Sequence, residues 1–295
     1  MLDSQNNTDI HRRDALELTG QMFKYEFIST ARNLVPMYSL LPVLALAVGI
    51  FFRNTILKVI LSSTNKSEVA VSSIFSGTLI WTLCYMFFLI AGIYTISTLS
   101  RRFCKSMLGN EAYLNLTLPL TVTEHLIARV FAATVWLLVL SVTAIISIAA
   151  FFLSFIDKLI FLINEERLRL PTPAQINDFF CESFGCPAVV FIITAFLFAI
   201  AGTMLLVMFI YMVNCIGHLA KKHRKILQFI TVIICITIVN ISGSMIFRIF
   251  AINLIHSLNL SVMILMWISI LASLVYAAIC GAVCYLILRF RLNLE

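Results

Sequence analysis

Two groups of residues in this 295-residue chain have the types that hydrolytic or metal chemistry uses. The first is the adjacent pair Glu165 and Glu166, which with the arginines that follow has the residue types of an intramembrane glutamate protease. The pair falls in a polar loop rather than in an apolar run, and the arginine spacing does not fit, because position 170 is Leu. A solvated run of charges is the interpretation that these residues favour.

The second group is His218 and His223, whose imidazoles could ligate a metal ion. Four cations lie close to these two histidines in the sequence and would repel a metal ion. The zinc-protease pattern H-E-x-x-H is absent. We therefore expect neither a metal site nor an enzymatic activity on this chain.

The eight cysteines divide by position. Cys181 and Cys186, in the sequence CESFGC, fall in a predicted loop, where they could close a small disulfide in an oxidising compartment or stay as free thiols. Four others fall within apolar runs and are interpreted as small apolar residues. These four are Cys84, Cys235, Cys280 and Cys284. The remaining two, Cys104 and Cys215, fall on or near the predicted inner side, where thiols stay reduced.

No segment has the nucleotide-binding pattern of a P-loop. The pattern G-x-x-x-x-G-K-[ST] requires a Gly followed directly by Lys, and none of the ten glycines meets this condition. We expect no cofactor on this chain. Energy for any driven process must then come from another polypeptide or from an ion gradient.

Apolar runs define the elements that position these residues. The mean hydropathy is +1.01 and 12% of residues are charged, against about 25% in soluble domains. Because about 20 apolar residues span a bilayer as a helix, six such runs predict an all-α membrane protein with six transmembrane helices. The predicted spans are Val35–Ile56, Ile74–Thr98, Val130–Ile156, Ala188–Asn214, Phe229–Phe247 and Val262–Leu288.

The charges of the loops predict the orientation. Of the 21 Lys and Arg residues, 14 fall on the side that holds both termini and 7 on the other side. Since cytoplasmic loops carry the excess of positive charge, we expect both termini in the cytoplasm of a multi-pass plasma-membrane protein. Attraction to anionic lipid explains the net charge of +7 better than nucleic-acid binding does.

The chain is predicted to contain a short N-terminal segment and one membrane domain. Residues 1–33 form a cytoplasmic segment, in which residues 14–32 have the pattern of an amphipathic interfacial helix that precedes a turn into the first span. A plain cytoplasmic helix is the alternative. Residues 34–295 form the six-helix transmembrane domain. Its longest connections are a cytoplasmic loop, 99–129, and an outer loop, 157–187.

The cytoplasmic loop 99–129 carries the strongest local signals. Basic residues near its start suit the C-terminal turns of a helix, and Gly109 suits the cap of that helix. Pro119 then interrupts the chain, and Thr121 and Glu124 have the spacing of a capping box. We predict a helix, a break and a second helix, which form a rigid hairpin attached to two spans. A hairpin whose caps serve stability alone is the alternative.

Three stretches resemble the type-2 permeases of ABC transporters, in particular the small six-span permeases of Gram-positive bacteria. RRFCKSMLGNEAYLNLTLPLTVTEHLIARV is similar to the first cytoplasmic loop of that group, in which G-[DN]-E-x-Y-L-x-x-T-L-P-[VL] precedes the third span. KYEFISTARNLVPMY (24–38) is similar to the opening of those permeases, which begins with K-Y-[ED]-F. NCIGHLAKKHRKI (214–226) is similar to their second cytoplasmic loop.

The resemblance implies partners and sites. Such permeases form dimers of like or unlike subunits, dock on a separate ABC ATPase subunit that binds the ATP, and usually export their substrate. Glu111 is the first choice for a polar contact to the ATPase, because a carboxylate accepts charge-assisted hydrogen bonds from Arg or Lys. A local role of Glu111 in capping a helix or at the lipid interface is the alternative. The residues that would couple to the ATPase are Gly109, Asn110, Glu111, Tyr113, Pro119, Thr121, Glu124 and His125.

Two other functions stay open at this point. One is an ion-coupled secondary transporter, although the interiors of the predicted spans hold no Asp, Glu, Lys, Arg or His of the kind that such carriers use. The other is a membrane scaffold or sensor without transport, which would need no ATP-hydrolysing partner. Nothing in the sequence selects a substrate.

Overall fold

The structure is a computed structural model, and its regular elements in the described part of the chain are all helices. It describes residues 2–62, 67–109, 112, 121–154, 156, 172–184, 186–220, 223–238, 240 and 262–290. The side chains of residues 2–16, 51–81, 83, 84, 183 and 262 lie outside the description. The predicted all-α class is confirmed for these residues.

Seven α-helices follow one another along the described ranges. They are α1 (Leu2–Ser62), α2 (Ser67–Phe103), α3 (Val122–Leu153), α4 (Pro173–Phe184), α5 (Ala188–His218), α6 (224–238) and α7 (Val262–Phe290). A π-helical turn, Cys104–Leu108, continues α2 beyond its last α-helical residue.

Four helical segments within the described residues are long and apolar enough to cross a membrane. They are Glu17–Ile50 in α1, Val122–Leu153, Ala188–His218 and Met263–Phe290, and their mean hydropathy lies between 1.8 and 2.6. They match the first, third, fourth and sixth predicted spans. The second and fifth predicted spans fall partly outside the described side chains or residues, so the number six stays a prediction.

Helix α1 is continuous over 61 residues. It joins the predicted interfacial segment to the first span without the expected turn, and Pro36 and Pro42 lie inside it. Each proline lacks the backbone N–H that a helix uses for one hydrogen bond. Separately, the Ser39 hydroxyl donates to the Pro36 carbonyl oxygen at 3.0 Å. Between residues 26 and 34 the sequence has neither Gly nor Pro to end the helix.

The chain divides into two compact units. We call residues 1–26, 100–134 and 173–295 the hairpin unit, because they include the predicted cytoplasmic hairpin. We call residues 27–99 and 135–172 the three-helix unit, because they contain parts of α1, α2 and α3.

An aromatic core occupies the three-helix unit. Leu34, Tyr38 and Trp136 are buried there. The rings of Phe27 and Trp136 stack with 4.7 Å between their centroids. The Tyr38 hydroxyl donates to the Trp136 carbonyl oxygen at 3.3 Å and lies 3.1 Å from Thr95 Oγ1. These contacts join α1, α2 and α3 at one level.

The packing of α1 on α3 in this unit is tight at one position and open at another. A Cβ added to Gly49 would collide with the Ser154 hydroxyl and lie 2.9 Å from the Phe151 carbonyl oxygen. Glycine is therefore required for this close approach. Nearby is an apolar cavity of about 310 Å³. Its lining residues are Ala45, Tyr85, Phe88, Ala144, Ser147, Ile148 and Phe151.

Candidate functional site

The first arm of the hairpin ends where the sequence predicts. Helix α2 continues through the π-helical turn Cys104–Leu108, in which Met107 is buried, and the cap is Gly109. Gly109 has φ −106° and ψ −168°, which is extended backbone rather than a left-handed cap. A Cβ at this position would lie 2.9 Å from the Lys105 carbonyl oxygen. Close approach to the preceding turn is therefore the reason that glycine fits here.

The second arm begins with the predicted capping box. The Thr121 backbone N–H donates to Glu124 Oε2 at 2.8 Å, and the Glu124 backbone N–H donates to Thr121 Oγ1 at 3.4 Å. Both bonds satisfy N–H groups that the first turn of a helix leaves without a helical partner. These two reciprocal hydrogen bonds fix the start of α3 at Val122. The predicted box is confirmed.

An ion pair between a buried arginine and a largely buried glutamate ties the N-terminal helix to the second arm. Arg129 Nε lies 3.1 Å from Glu26 Oε1, and the two side chains are 3% and 13% exposed. The Nη1 atom of the same arginine contacts the sulfur of Met107 in the π-helical turn. Arg102 Nη1 donates to the Glu26 backbone carbonyl oxygen at 3.4 Å. Residues of α1, α2, the π-helical turn and α3 therefore meet around one carboxylate and two guanidinium groups.

His125 lies one helical turn from Arg129 and is completely buried. Its Nδ1 is 3.1 Å from the sulfur of Met22. Met22 precedes Glu26 by four residues, as His125 precedes Arg129, so two successive turns of α1 face two successive turns of α3. Among the described residues, His125 Nε2 and Arg129 Nη2 are buried without a hydrogen-bond partner. Buried water commonly satisfies such atoms.

Polar and aromatic contacts join the hairpin to α5 and α6. The rings of Phe103 and Tyr211 stack with 3.9 Å between their centroids and 10° between their planes. The Asn214 side-chain amide donates to Ser100 Oγ at 2.8 Å, and the Gln228 amide donates to Asn214 Oδ1 at 3.3 Å. Since Tyr211 and Asn214 are buried, the base of the hairpin is part of a packed interior.

The structure separates the predicted coupling residues into three groups. Thr121 is exposed, Glu124 is half-buried, and both are occupied by the capping box. Gly109 and His125 lie against the hairpin's own interior, so the histidine ring faces α1 rather than an outer surface. The other four positions lie outside the described residues. These are Asn110, Glu111, Tyr113 and Pro119.

Glu26 is the residue that our sequence analysis missed. It lies in the K-Y-[ED]-F stretch of the resemblance, but no role was predicted for it. Between residues 18 and 32 it is the single acidic side chain in the sequence. Two features of the sequence could have indicated the pairing. Glu26 is a lone carboxylate on a helix with an apolar face, and His125 and Arg129 lie four residues apart, on one face of another helix.

Within the described residues, the candidate residues of the predicted outer loop form neither a disulfide nor a metal site. Cys181 is exposed, Cys186 is buried, and both are free thiols. Helix α4 precedes α5, and the Ala188 N–H donates to Asn177 Oδ1 at 3.1 Å. In the described part of the chain no three His, Cys, Asp or Glu side chains are grouped as for a metal ion. Glu165 and Glu166 lie outside the described residues.

Comparisons of the chain with protein-family models, with curated proteins and with solved structures find no match. The assignment of a function therefore depends on the sequence resemblance and on the geometry of the hairpin.

Proposed function

We propose that this chain is the permease subunit of an ABC exporter. It has six transmembrane helices and lies in the plasma membrane with both termini in the cytoplasm. It forms the substrate pathway as a dimer with a like or unlike subunit, and it docks on a separate ATPase subunit through the hairpin 99–129. ATP binds to that partner.

The observation that supports this proposal most is the ion pair of Glu26 with the buried Arg129. The pair fastens the hairpin to the N-terminal helix, and the stack of Phe103 on Tyr211 fastens it to α5. Hairpin arms held in this way move together with the helices that they contact when a partner pushes on them. Because packed elements have discrete arrangements rather than a continuous range, such a push can switch the helices attached to the hairpin.

The proposal predicts that an ABC ATPase is encoded beside this chain, and the test uses that subunit. The two polypeptides are co-expressed, purified together in detergent and reconstituted in liposomes. We expect the chain alone to show no ATP hydrolysis, and the complex to hydrolyse ATP. The substitution Glu111→Arg reverses the charge at the predicted contact and should lower hydrolysis by the reconstituted complex at least tenfold without unfolding the permease.

Glu182→Arg is the matched control, since Glu182 is an exposed carboxylate on α4, in the predicted outer loop. It should leave ATP hydrolysis unchanged. Co-purification of no ATP-hydrolysing subunit would overturn the proposal in favour of an ion-coupled carrier or a scaffold. An intact complex with normal hydrolysis in Glu111→Arg would overturn the assignment of the contact.

A further inference from the structure

Two cysteine thiols meet in the interior of the hairpin unit. Cys215 lies near the end of α5 and Cys284 near the end of α7, and their sulfur atoms are 3.2 Å apart. Both side chains have no exposed area. The residues are 69 positions apart in the sequence, so their meeting is a result of how α5 packs on α7.

We infer that Cys215 and Cys284 are a modification site at which oxidation forms an intramolecular disulfide that ties α5 to α7. The sulfur atoms of a disulfide are about 2.0 Å apart, so these two must approach by about 1 Å. Rotation of two cysteine side chains within their torsional wells provides a shift of this size. The inference does not depend on the proposed transport function.

The reaction consumes one two-electron oxidant. Two S–H bonds break, one S–S bond forms, and two protons and two electrons pass to the oxidant. A diazenedicarboxamide such as diamide is an oxidant of this class, because its N=N bond takes up both hydrogens and becomes a hydrazine. The reduced pair is restored by exchange with a dithiol.

Burial determines which reagents reach the pair. A small neutral oxidant that dissolves in the membrane can enter a site without exposed area, whereas a large charged thiol reagent is excluded. Cys181 is exposed and Cys104 and Cys280 are half-buried, so they should react with the charged reagent before the pair does. A disulfide that closes a loop of this length should stabilise the fold by restricting the unfolded chain.

The experiment uses the full chain purified in detergent under reducing conditions. After the reductant is removed, the protein is treated with diamide, remaining thiols are blocked with N-ethylmaleimide, and peptides are mapped by mass spectrometry. We expect a linked pair of peptides containing Cys215 and Cys284 in most molecules, and a rise of about 5 °C in the midpoint of thermal unfolding. The double variant Cys104→Ser/Cys280→Ser, the matched control, should keep both results.

Cys215→Ser and Cys284→Ser should each abolish the linked peptides and the rise in the midpoint. Linkage of either residue to Cys104 or Cys280 instead, or the absence of a linked pair in the wild-type chain, would overturn the inference. Peptide mapping of the wild-type chain tests for the Cys215–Cys284 disulfide even where a serine variant fails to fold.

Discussion

Different kinds of contact stabilise the interior of the hairpin unit and the interior of the three-helix unit, each considered by itself. In the hairpin unit the buried contacts are directional: Arg129 faces Glu26, and Asn214 bridges Ser100 and Gln228. In the three-helix unit the contacts depend mainly on shape, as in the stack of Phe27 on Trp136 and the close approach at Gly49.

This difference bears on what each unit can do. A buried charge is costly unless its partner is in place, so polar contacts penalise every arrangement that separates them. Apolar packing also stabilises one arrangement but penalises small shifts less, and the three-helix unit contains a cavity of about 310 Å³ that leaves room for such shifts. We infer that the hairpin unit is the stiffer part and the three-helix unit the more adaptable one.

The largest effect is expected from Arg129→Ala. It removes the guanidinium that faces the largely buried Glu26 carboxylate, and breaking a buried pair from one side typically costs about 3–5 kcal/mol. The free energy of unfolding, measured by titration with sodium dodecyl sulfate in mixed micelles, should fall by this amount. Arg101→Ala, which removes an exposed cation from the same hairpin, should change it by no more than about 0.5 kcal/mol.

A double variant separates the ion pair from simple packing. Glu26→Met/Arg129→Met removes both charges and keeps comparable volume, and should recover most of the loss caused by Arg129→Ala. A loss below about 1 kcal/mol in Arg129→Ala would show that the pair does not hold the hairpin in place.

A smaller effect is expected from Gly49→Ala in the three-helix unit. The added methyl group meets the Ser154 hydroxyl and the Phe151 carbonyl oxygen, and overpacking costs about 1–3 kcal/mol. Thermal unfolding in detergent should show a lower midpoint. Gly92→Ala is the control, because an added Cβ there meets nothing within 4 Å. An equal response of the two variants would contradict tight packing at Gly49.

The smallest effect is expected from Thr121→Ala, which removes the hydroxyl of the capping box at the start of α3. Loss of a cap costs about 1 kcal/mol. Thr123→Ala removes a neighbouring exposed hydroxyl and should cost less. Hydrogen exchange at residues 122–126 should rise in Thr121→Ala and stay unchanged in Thr123→Ala, whereas protection around Arg129 should be retained in both. Loss of protection along all of α3 would show that the cap supports the whole arm.

Features of the hairpin that depend on neighbours in sequence could be predicted. The capping box involves residues three apart, and the end of the first arm at Gly109 follows from backbone contact with the turn before it. The turn expected before the first span was wrong for a different reason. An amphipathic pattern predicts a face of a helix but not where that helix ends, and α1 continues through both segments.

Features that depend on helix packing could not be predicted. The burial of His125 follows from its contact with Met22, and the roles of Glu26 and Arg129 follow from each other, although the members of each pair are 103 residues apart. In the sequence, Arg129 is only one of the 14 cations on the predicted cytoplasmic side. The sequence gives the charge of a residue but does not give the residues that surround it in the fold.

The sequence by itself determined the apolar and helical character of this protein and the local ends of its hairpin, because hydropathy and capping act over one or a few helical turns. Tertiary structure alone decided that Glu26 and Arg129 form a pair and that Cys215 meets Cys284. Many partners are compatible with a given helix face, and only the packing of whole helices against one another selects among them.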